Sequence, residues 1–276
     1  MIEITVDNMS LRQIAESGQA FRWEKLDDRH NRYSIVAYGK YLEITQTGTK
    51  SFLLDCNEAD YLETWERYFD LRTDYEEIQL MACQGDARLY EAAIQGYGIR
   101  ILRQPVFETI ITFLVSQNNN IPRIKATIEK LCERFGRSMT APGGQQYYAF
   151  PEPKDLADID KLQGLGLGYR DKYIVAAARI AASGCINIAG LEAEDYSTAK
   201  LILTNFLGVG EKVADCICLF SLHKLEAFPV DTWVKKIEEK YYGGRFPQEK
   251  YEGYQGIMQQ YLFAYIRKTE KERAKQ

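Results

Sequence analysis

The chain has 276 residues and a formal net charge of −4 at pH 7, with 46% hydrophobic and 27% charged residues. These values are typical of a folded protein of one large or two modest domains, and they exclude a disordered chain. The acidic balance excludes a uniformly basic nucleic-acid coat but leaves room for a local basic face. Two histidines, and six cysteines without a C-x-x-C pair, provide no complete set of metal ligands.

No targeting or membrane segment is predicted. The first residues, Met1–Asp7, lack the basic and apolar regions of a secretory signal. No apolar run approaches the ~18 residues that a membrane-spanning helix needs. The scattered cysteines favour free thiols over a disulfide framework. We therefore expect a protein of the reducing cytoplasm with no membrane partner.

The first 55 residues are predicted to be rich in β-structure. Short β-branched or aromatic runs occur at Arg32–Tyr38, Tyr41–Gln46 and Lys50–Asp55. Glycine-containing turns separate these runs, which is typical of antiparallel hairpins. After Asn57 the spacing of apolar residues becomes helical and stays so to the end.

Helical patterns dominate the rest of the chain. Apolar residues between Ile121 and Phe135 recur every three or four positions, and Pro122 falls in the first turn, where proline is tolerated. Further helices are predicted at Arg170–Ala182, Tyr196–Phe206, Lys212–Leu222, Thr232–Tyr242 and Gln248–Arg267. A loop rich in proline, glycine and aromatic residues is predicted at Pro142–Pro153.

Strands followed by helices predict an α+β fold. We expect an N-terminal antiparallel β-sheet domain with flanking helices at residues 1–106, followed by a larger all-helical domain at residues 107–267. Residues 268–276 form a charged tail, which is expected to fray.

The densest motif is a turn between two predicted helices, Leu207-Gly208-Val209-Gly210. Glycine at positions 208 and 210 permits positive φ and lets the backbone approach a ligand closely. Free amide groups at the start of the second helix suit one phosphate of a nucleic-acid backbone. A plain turn between two core helices would explain the same residues, so the motif alone does not decide the function.

Two charged residues near this turn are candidates for catalysis. Lys212 falls in the first turn of the second helix, where the positive end of the macrodipole favours a neutral amine that could form a Schiff base. Asp231 follows Pro229-Val230 and can cap the next helix, while its carboxylate could also assist a proton transfer. An exposed solubilising lysine and a purely capping aspartate stay open as alternatives.

Two further segments carry side chains suited to DNA bases. Ser116–Arg123 contains three consecutive asparagines followed by a guanidinium, and these groups could hydrogen-bond a base. The alternative for this segment is a polar turn that caps the helix at Ile121. Gly164–Arg170 presents Tyr169 beside Arg170 at a tight turn, and such a pair can stack on bases or wedge between them.

Together these motifs resemble the helix-hairpin-helix Gly/Pro/Asp DNA glycosylase superfamily, and more particularly the 8-oxoguanine DNA glycosylase/AP lyases. The resemblance extends over roughly residues 1–267. It is carried, in chain order, by Ser17–Trp23, Leu102–Gln104, Ser116–Arg123, Leu165–Arg170, Leu207–Cys218 and Pro229–Asp231. The four-cysteine iron–sulfur loop of the endonuclease III branch is absent, which argues against that branch.

The resemblance implies a role for each matching residue. Lys212 is the expected nucleophile, and Asp231 the aspartate that aids catalysis. The pocket for the damaged base is expected at Gly18, Phe113, Cys216, Gln259 and Phe263. In the family pattern, the Gly18 carbonyl accepts from the N7–H that distinguishes 8-oxoguanine from guanine. Phe263 and Cys216 cover the two faces of the base, and Gln259 hydrogen-bonds its Watson–Crick edge. The opposite base and the wedge are assigned to Asn118, Arg123, Tyr169 and Arg170, and a DNA phosphate to Leu207, Gly208, Val209 and Gly210.

One position departs from the family pattern. Trp233 stands where animal and fungal members usually carry histidine, so the contact with the phosphate next to the lesion is not carried over. Two other functions stay open: a related glycosylase for another alkylated or oxidised base, and a non-catalytic helix-hairpin-helix DNA-binding module. Lys212 counts against the first, because monofunctional relatives activate water, and Lys212 together with Asp231 counts against the second.

The sequence thus predicts a bifunctional enzyme of base excision DNA repair. It would flip out 8-oxoguanine, release it through a lysine Schiff base, and nick the strand by β-elimination. We expect no metal and no organic cofactor. The expected partner is duplex DNA with 8-oxoguanine opposite cytosine, and the expected form is a monomer in the bacterial cytoplasm, associated with the nucleoid.

Overall fold

The N-terminal part of the protein is an antiparallel sheet, as predicted. The computed structural model describes residues 1–27 and 29–273, and in these residues five strands pair in the order β1-β5-β4-β3-β2. The strands are β1 (Ile2–Thr5), β2 (Trp23–Asp27), β3 (Arg32–Ala37), β4 (Lys40–Gln46) and β5 (Ser51–Leu54). The sequence pattern missed β1 and β2, because β1 is a four-residue edge strand and β2 exposes three consecutive side chains.

A short helical segment covers one face of this sheet. It consists of α2 (Glu58–Asp60) and α3 (Glu66–Tyr68), joined by a π-helical stretch at Tyr61–Trp65. Tyr68 and Phe69 pack with the inward side chains of the strands in one buried cluster. The indole of Trp23 donates a hydrogen bond to the Tyr68 hydroxyl at 2.8 Å. Burying these large aromatic side chains anchors β2, and with it the loop that precedes it, to the helical segment.

The helices that follow form the larger body. In chain order, the longer helices of the described residues are α1 (Leu11–Glu16), α4 (Tyr75–Cys83), α5 (Ala87–Gln95), α6 (Val106–Ser116), α7 (Ile121–Phe135), α8 (Asp171–Ser183), α9 (Tyr196–Thr204), α10 (Glu211–Phe220), α11 (Thr232–Tyr241) and α12 (Gln255–Arg273). Although α4 and α5 precede α6 in the chain, they share a buried core with α10 and α12. No helix in the described part of the chain is long and apolar enough to cross a bilayer.

Two predicted boundaries are wrong. The helix predicted at Gln248–Arg267 is a 3-10 turn, Gln248–Tyr251, followed by α12, because Gly253 takes a φ of +84° between them and interrupts the helical path. α12 then continues to Arg273, six residues into the predicted tail, and its end is tied to α11 by an ion pair between Lys236 and Glu270. The last three residues, 274–276, lie outside the described residues.

The predicted loop at Pro142–Pro153 contains part of a small hairpin. Strands β6 (Ser138–Thr140) and β7 (Gln146–Tyr148) pair with each other across a five-residue turn. Strands of three residues are too short to show an alternating pattern, so only the turn residues between them were predictable.

Candidate active site

One narrow cavity gathers all seven residues that the resemblance assigns to catalysis and to the damaged-base pocket. It is lined by Ser17, Gly18, Phe113, Lys212, Cys216, Phe220, Pro229, Asp231, Gln259, Gln260 and Phe263. The lining comes from the loop after α1, from α6, α10 and α12, and from the segment before α11. Its volume is about 50 Å³, which is room for one or two water molecules of roughly 30 Å³ each. Side chains must therefore move before a purine can enter.

Lys212 is the second residue of α10 and is half-buried in this cavity. Its Nζ lies 5.5 Å from the centroid of the Phe113 ring. The thiol of Cys216, one turn along the helix, lines the same cavity. Burial raises the pKa of that thiol to about 11, and the nearby Lys212 charge only partly offsets the effect. The thiol is thus protonated at neutral pH and is a weak nucleophile.

Asp231 caps a helix, as the sequence predicted, and it also lines the cavity. Its Oδ1 accepts hydrogen bonds from the backbone N–H groups of Trp233 and Val234, each at 2.9 Å, at the start of α11. These bonds fix the carboxylate at the wall of the same cavity as Lys212. The cap therefore orients a negative charge toward the place where a cationic transition state would form.

Gly18 lies at the opposite wall with a φ of +79°. A Cβ at this position would lie 3.4 Å from both the Phe263 ring and the Arg267 guanidinium. Arg267 in turn places its Cζ 5.0 Å from the centroid of the Phe263 ring, one helical turn earlier on α12. Glycine is required here by the backbone conformation, and its lack of a side chain lets the loop approach Phe263 closely.

The loop that carries Gly18 is held by two glutamines, of which Gln19 is buried and Gln104 is half-buried. Gln19 is fully buried, donates to the carbonyl of Arg100 at 2.8 Å and accepts from the N–H of Leu102 at 2.8 Å. Gln104 donates to the carbonyl of Gln19 at 2.8 Å, and its backbone N–H donates to the carbonyl of Phe220 at the end of α10. These bonds connect two of the family motifs and fix Gly18 relative to the helix of Lys212.

The two glycines of the hairpin before α10 differ in what they contribute: Gly208 has a positive φ, and Gly210 leaves open space beside the backbone. Gly208 has a φ of +86°, and a Cβ there would lie 2.5 Å from the Tyr173 ring. Its carbonyl accepts from Gln117 Nε2 at 3.0 Å. The positive φ expected for Gly210 is wrong, since its φ is −88° and it caps α10 in an extended conformation. Apart from its chain neighbours, no atom of the described residues lies within 4 Å of a Cβ at Gly210, so the space beside this helix start is open.

The loop between α6 and α7 bears the residues assigned to the opposite base. Asn118 has a φ of +46° and is exposed. Asn120 caps α7 by accepting from the N–H of Arg123 at 3.0 Å, which confirms the polar-turn interpretation of this residue. The Arg123 guanidinium is exposed and reaches the carbonyl of Gly166 at 3.3 Å. The loops of Asn118 and of Gly166 thus lie side by side.

Arg170 differs from the expectation of a free guanidinium. It is buried and makes four hydrogen bonds to the carbonyls of Gln117, Asn118 and Leu167. An arginine has five N–H donors, so one remains for another partner. Arg170 therefore holds the Asn118 loop in place from beneath, whereas its neighbour Tyr169 is 45% exposed and stands out from the turn.

Several lining residues were missed by the sequence analysis. Phe220 stacks on Phe113 with ring centroids 5.7 Å apart, and Gln260 and the Pro229 carbonyl lie beside Gln259. Gln260 follows the assigned residue Gln259 on the same helix, and Phe220 is one turn beyond Cys216. Helical spacing from these two assigned residues could therefore have identified both. In the described residues, no group of three or more His, Cys, Asp or Glu side chains is placed to hold a metal ion.

Comparison with known families accounts for both parts of the chain. Residues 1–110 match the N-terminal domain of 8-oxoguanine DNA glycosylase, and residues 111–253 match the HhH-GPD superfamily of base excision DNA repair proteins. The chain belongs to the 8-oxoguanine DNA glycosylase family. The N-glycosylase/DNA lyase of Saccharomyces cerevisiae is 32% identical over 275 residues, covering 87% of this chain and 70% of the yeast protein.

Two solved structures share the whole architecture of this family member. A structure of MBOgg1 with a low-affinity DNA ligand has a TM-score of 0.90 and 38% identity, and it covers 97% of this chain and 95% of its own. The Clostridium acetobutylicum 8-oxoguanine glycosylase/lyase, bound to duplex DNA with cytosine opposite 8-oxoguanine, has a TM-score of 0.89 and 35% identity. That match covers 96% of this chain and 94% of the Clostridium chain.

Proposed function

We infer that this 8-oxoguanine glycosylase/lyase of base excision repair uses the amine of Lys212 as its nucleophile. The observation that carries this inference is the meeting of Lys212, Asp231 and Gly18 in one cavity, although they are far apart in sequence. The neutral amine attacks C1′ of the damaged nucleotide, and the C1′–N9 bond breaks with its electron pair leaving on the base. Loss of the proton on Nζ and opening of the sugar then give a Schiff base.

The lyase step follows from that Schiff base. Removal of a proton from C2′ allows the C3′–O bond to break, so that the 3′ phosphate leaves and the strand is nicked. The Asp231 carboxylate, held by its two backbone hydrogen bonds, stabilises the positive charge that develops on the sugar during base release. The neighbouring thiol of Cys216 contributes no competing nucleophile, because it stays protonated at neutral pH.

The pocket roles implied by the family are proposals for this chain. The Gly18 carbonyl accepts from the N7–H of the oxidised base, Phe263 and Cys216 cover its two faces, and Gln259 meets its Watson–Crick edge. Phe113 lines the entrance against Lys212. Discrimination against guanine then depends on one N–H, since guanine has no donor at N7 and leaves the Gly18 carbonyl unpaired.

Outside the pocket, the exposed side chains are suited to the duplex. Arg123 and Asn118 are proposed to contact the opposite cytosine, and Tyr169 to fill the space that the extruded base leaves. Arg170 is proposed to position Asn118 and to offer its remaining N–H to the cytosine. The amides of Leu207–Gly210 are proposed to bind a backbone phosphate, while Trp233 makes no equivalent of the histidine contact of other members.

The remaining proposals concern the protein as a whole. We propose that it acts as a monomer on genomic DNA in the bacterial cytoplasm, with 8-oxoguanine opposite cytosine as its preferred substrate. The division into a sheet domain at residues 1–106 and a glycosylase domain at residues 107–267 also stays a proposal, because α4 and α5 join the core of the second part.

Borohydride trapping tests the function. The protein is incubated with duplexes that carry 8-oxoguanine, an alkylated purine or an abasic site, opposite each of the four bases. We expect a covalent complex with 8-oxoguanine, strongest opposite cytosine, and none with the alkylated purine. Trapping with the alkylated purine instead would indicate the glycosylase for another base. Binding with neither trapping nor nicking would indicate the non-catalytic module.

A further inference from the structure

Two neighbouring glutamines on α12 form a directed chain of hydrogen bonds at the wall of the cavity. Gln259 Nε2 donates to the carbonyl of Pro229 at 3.0 Å, and Gln260 Nε2 donates to Gln259 Oε1 at 2.9 Å. Both side chains are buried, each with 3% exposure. A backbone carbonyl can only accept, so Pro229 fixes the orientation of the first amide, and the first amide fixes the second.

This fixed orientation leaves one acceptor unused. Gln260 Oε1 is buried and has no hydrogen-bond partner, and Gln260 lines the same cavity as Lys212. Rotating the Gln260 amide by 180° would not remove the unpaired acceptor, because the oxygens of Gln260 and Gln259 would then face each other. An unpaired buried oxygen costs free energy until a donor reaches it. The cavity therefore favours an occupant with an N–H group at this point.

The amide pair also has the hydrogen-bonding pattern of a base edge. Gln259 Nε2 retains a second N–H, Gln259 Oε1 retains a second lone pair, and Gln260 Oε1 is free. Read along the pair, these groups are a donor, an acceptor and an acceptor, which is the pattern of the pairing edge of cytosine. The complementary edge is that of guanine, with O6 as acceptor and N1–H and the 2-amino group as donors.

We propose that Gln260 is a further specificity-determining residue, whose Oε1 accepts a hydrogen bond from the 2-amino group of the extruded base. The inference rests on the proposed function, because it requires the base to enter this cavity. It adds a second residue to the recognition of the guanine-like edge, beside the contact proposed for Gln259. Oxidised adenine has an acceptor at N1 and no 2-amino group, so the amide pair opposes it.

The test compares two lesions that differ in one donor. Duplexes carry 8-oxoguanine or 8-oxohypoxanthine opposite cytosine; the second keeps N1–H and N7–H but lacks the 2-amino group. Single-turnover excision rates are measured for the wild type, for Gln260→Met and for Gln255→Met. Gln255 is the matched control, because it lies on the same helix and also has a buried, unpartnered Oε1 but does not line the cavity.

We expect the wild type and Gln255→Met to prefer 8-oxoguanine by about tenfold, the effect of one hydrogen bond to a buried acceptor. Gln260→Met should reduce the preference to about one. The ratio of the excision rates of the two lesions, measured on one preparation, does not depend on how much of that preparation is folded. The two lesions also pair differently with cytosine, but this difference is the same for every variant and cancels when their ratios are compared. If Gln260→Met does not fold, Gln260→Ala, which removes the same oxygen, should give the same loss.

The outcomes separate the two proposals. A wild type without preference, or a Gln260 variant that keeps the wild-type ratio, overturns the role of Gln260 while leaving the glycosylase function intact. A wild type that releases neither base overturns the proposed function, and this inference with it.

Discussion

Lys212 and Cys216 lie one turn apart on α10, and both line the cavity that also holds Asp231. Burial raises the pKa of the Cys216 thiol to about 11, so this thiol is protonated at neutral pH. The proposed role of Lys212 therefore depends on its place in this cavity as well as on the chemistry of its amine.

Lys212→Gln should abolish base release and borohydride trapping while binding to lesion DNA survives. Glutamine keeps the length and polarity of the side chain but has no nucleophilic amine. Gel-shift binding and trapping are measured on the same preparations. Lys130→Gln, at an exposed position on α7, is the control and should trap as the wild type does. Covalent trapping by Lys212→Gln would show that another residue is the nucleophile.

Asp231→Asn should slow single-turnover base release by about 100-fold or more, with a much smaller effect on binding. The amide keeps an oxygen for the cap of α11 but loses the charge that opposes the cationic transition state. The loss of unfolding free energy should be no more than about 0.5–2 kcal/mol. Asp74→Asn, at the equivalent capping position of α4, is the control for the cap and should leave the rate unchanged. An unchanged rate in folded Asp231→Asn would restrict Asp231 to capping.

Arg123→Ala should erode the preference for cytosine opposite the lesion by about 1–3 kcal/mol, the value of a good bidentate contact to a base. Excision rates opposite each of the four bases give this value directly. Arg134→Ala is the matched control, since Arg134 lies on the same helix and also donates to a loop carbonyl, that of Gln163, at 2.8 Å. Equal discrimination by Arg123→Ala and the wild type would remove Arg123 from opposite-base recognition.

We expect the titration of Glu108 to lower the free energy of unfolding as the pH rises. Burial on α6 raises the pKa of this carboxyl to about 7, and the nearby positive charge of Arg22 only partly offsets the effect. Between pH about 4.5 and 7 the folded state therefore holds a proton that the unfolded state has released, so the free energy of unfolding falls through this range. Glu108→Gln should remove about 1–3 kcal/mol of that fall. Urea denaturation at pH 5 and pH 8 measures the free energy of unfolding of the variant and of the wild type. An equal fall in this free energy between the two pH values for both proteins would contradict the assignment.

Excision should continue in excess EDTA at the rate measured without it. The nucleophile, the carboxylate and the pocket are all supplied by protein side chains, and lysine chemistry requires no metal. The single-turnover rate is measured before and after chelation, and again after adding a divalent cation. A loss on chelation that the cation restores would require a metal in the mechanism.

The sequence predicted three of the five strands of the sheet and the helices from α7 to α11 with nearly correct bounds, because their signals are local. The long amphipathic pattern of α7 spans four turns, and Asn120 and Asp231 provide caps at the start of helices. The edge strand β1 and the hairpin β6–β7 were not predicted, because strands of three or four residues are too short to show an alternation of apolar and polar residues. α12 was misplaced for a different reason, since one glycine conformation decides where it begins.

The candidate site was predictable only in part, because its contacts are not local. The pocket residues came from resemblance to a family, and without it Gln259 and Phe263 read as one side of an ordinary amphipathic helix. The burial of Arg170 could not be predicted, since two of its three acceptors are carbonyls about 50 residues away. The free oxygen of Gln260 depends on the carbonyl of Pro229, which no pattern on α12 reveals.

The cavity draws its lining from two distant parts of the chain. Gly18 lies in the part that carries the sheet, while Lys212 and Asp231 lie in the helical part. Gln104 connects the two parts, since its side chain donates to the carbonyls of Gln19 and Phe220 and its backbone N–H also donates to the carbonyl of Phe220. We expect a substitution at Gln104 to leave the amine and the cleavage of abasic DNA in place but to impair the choice of base, so that repair would lose fidelity before it lost activity.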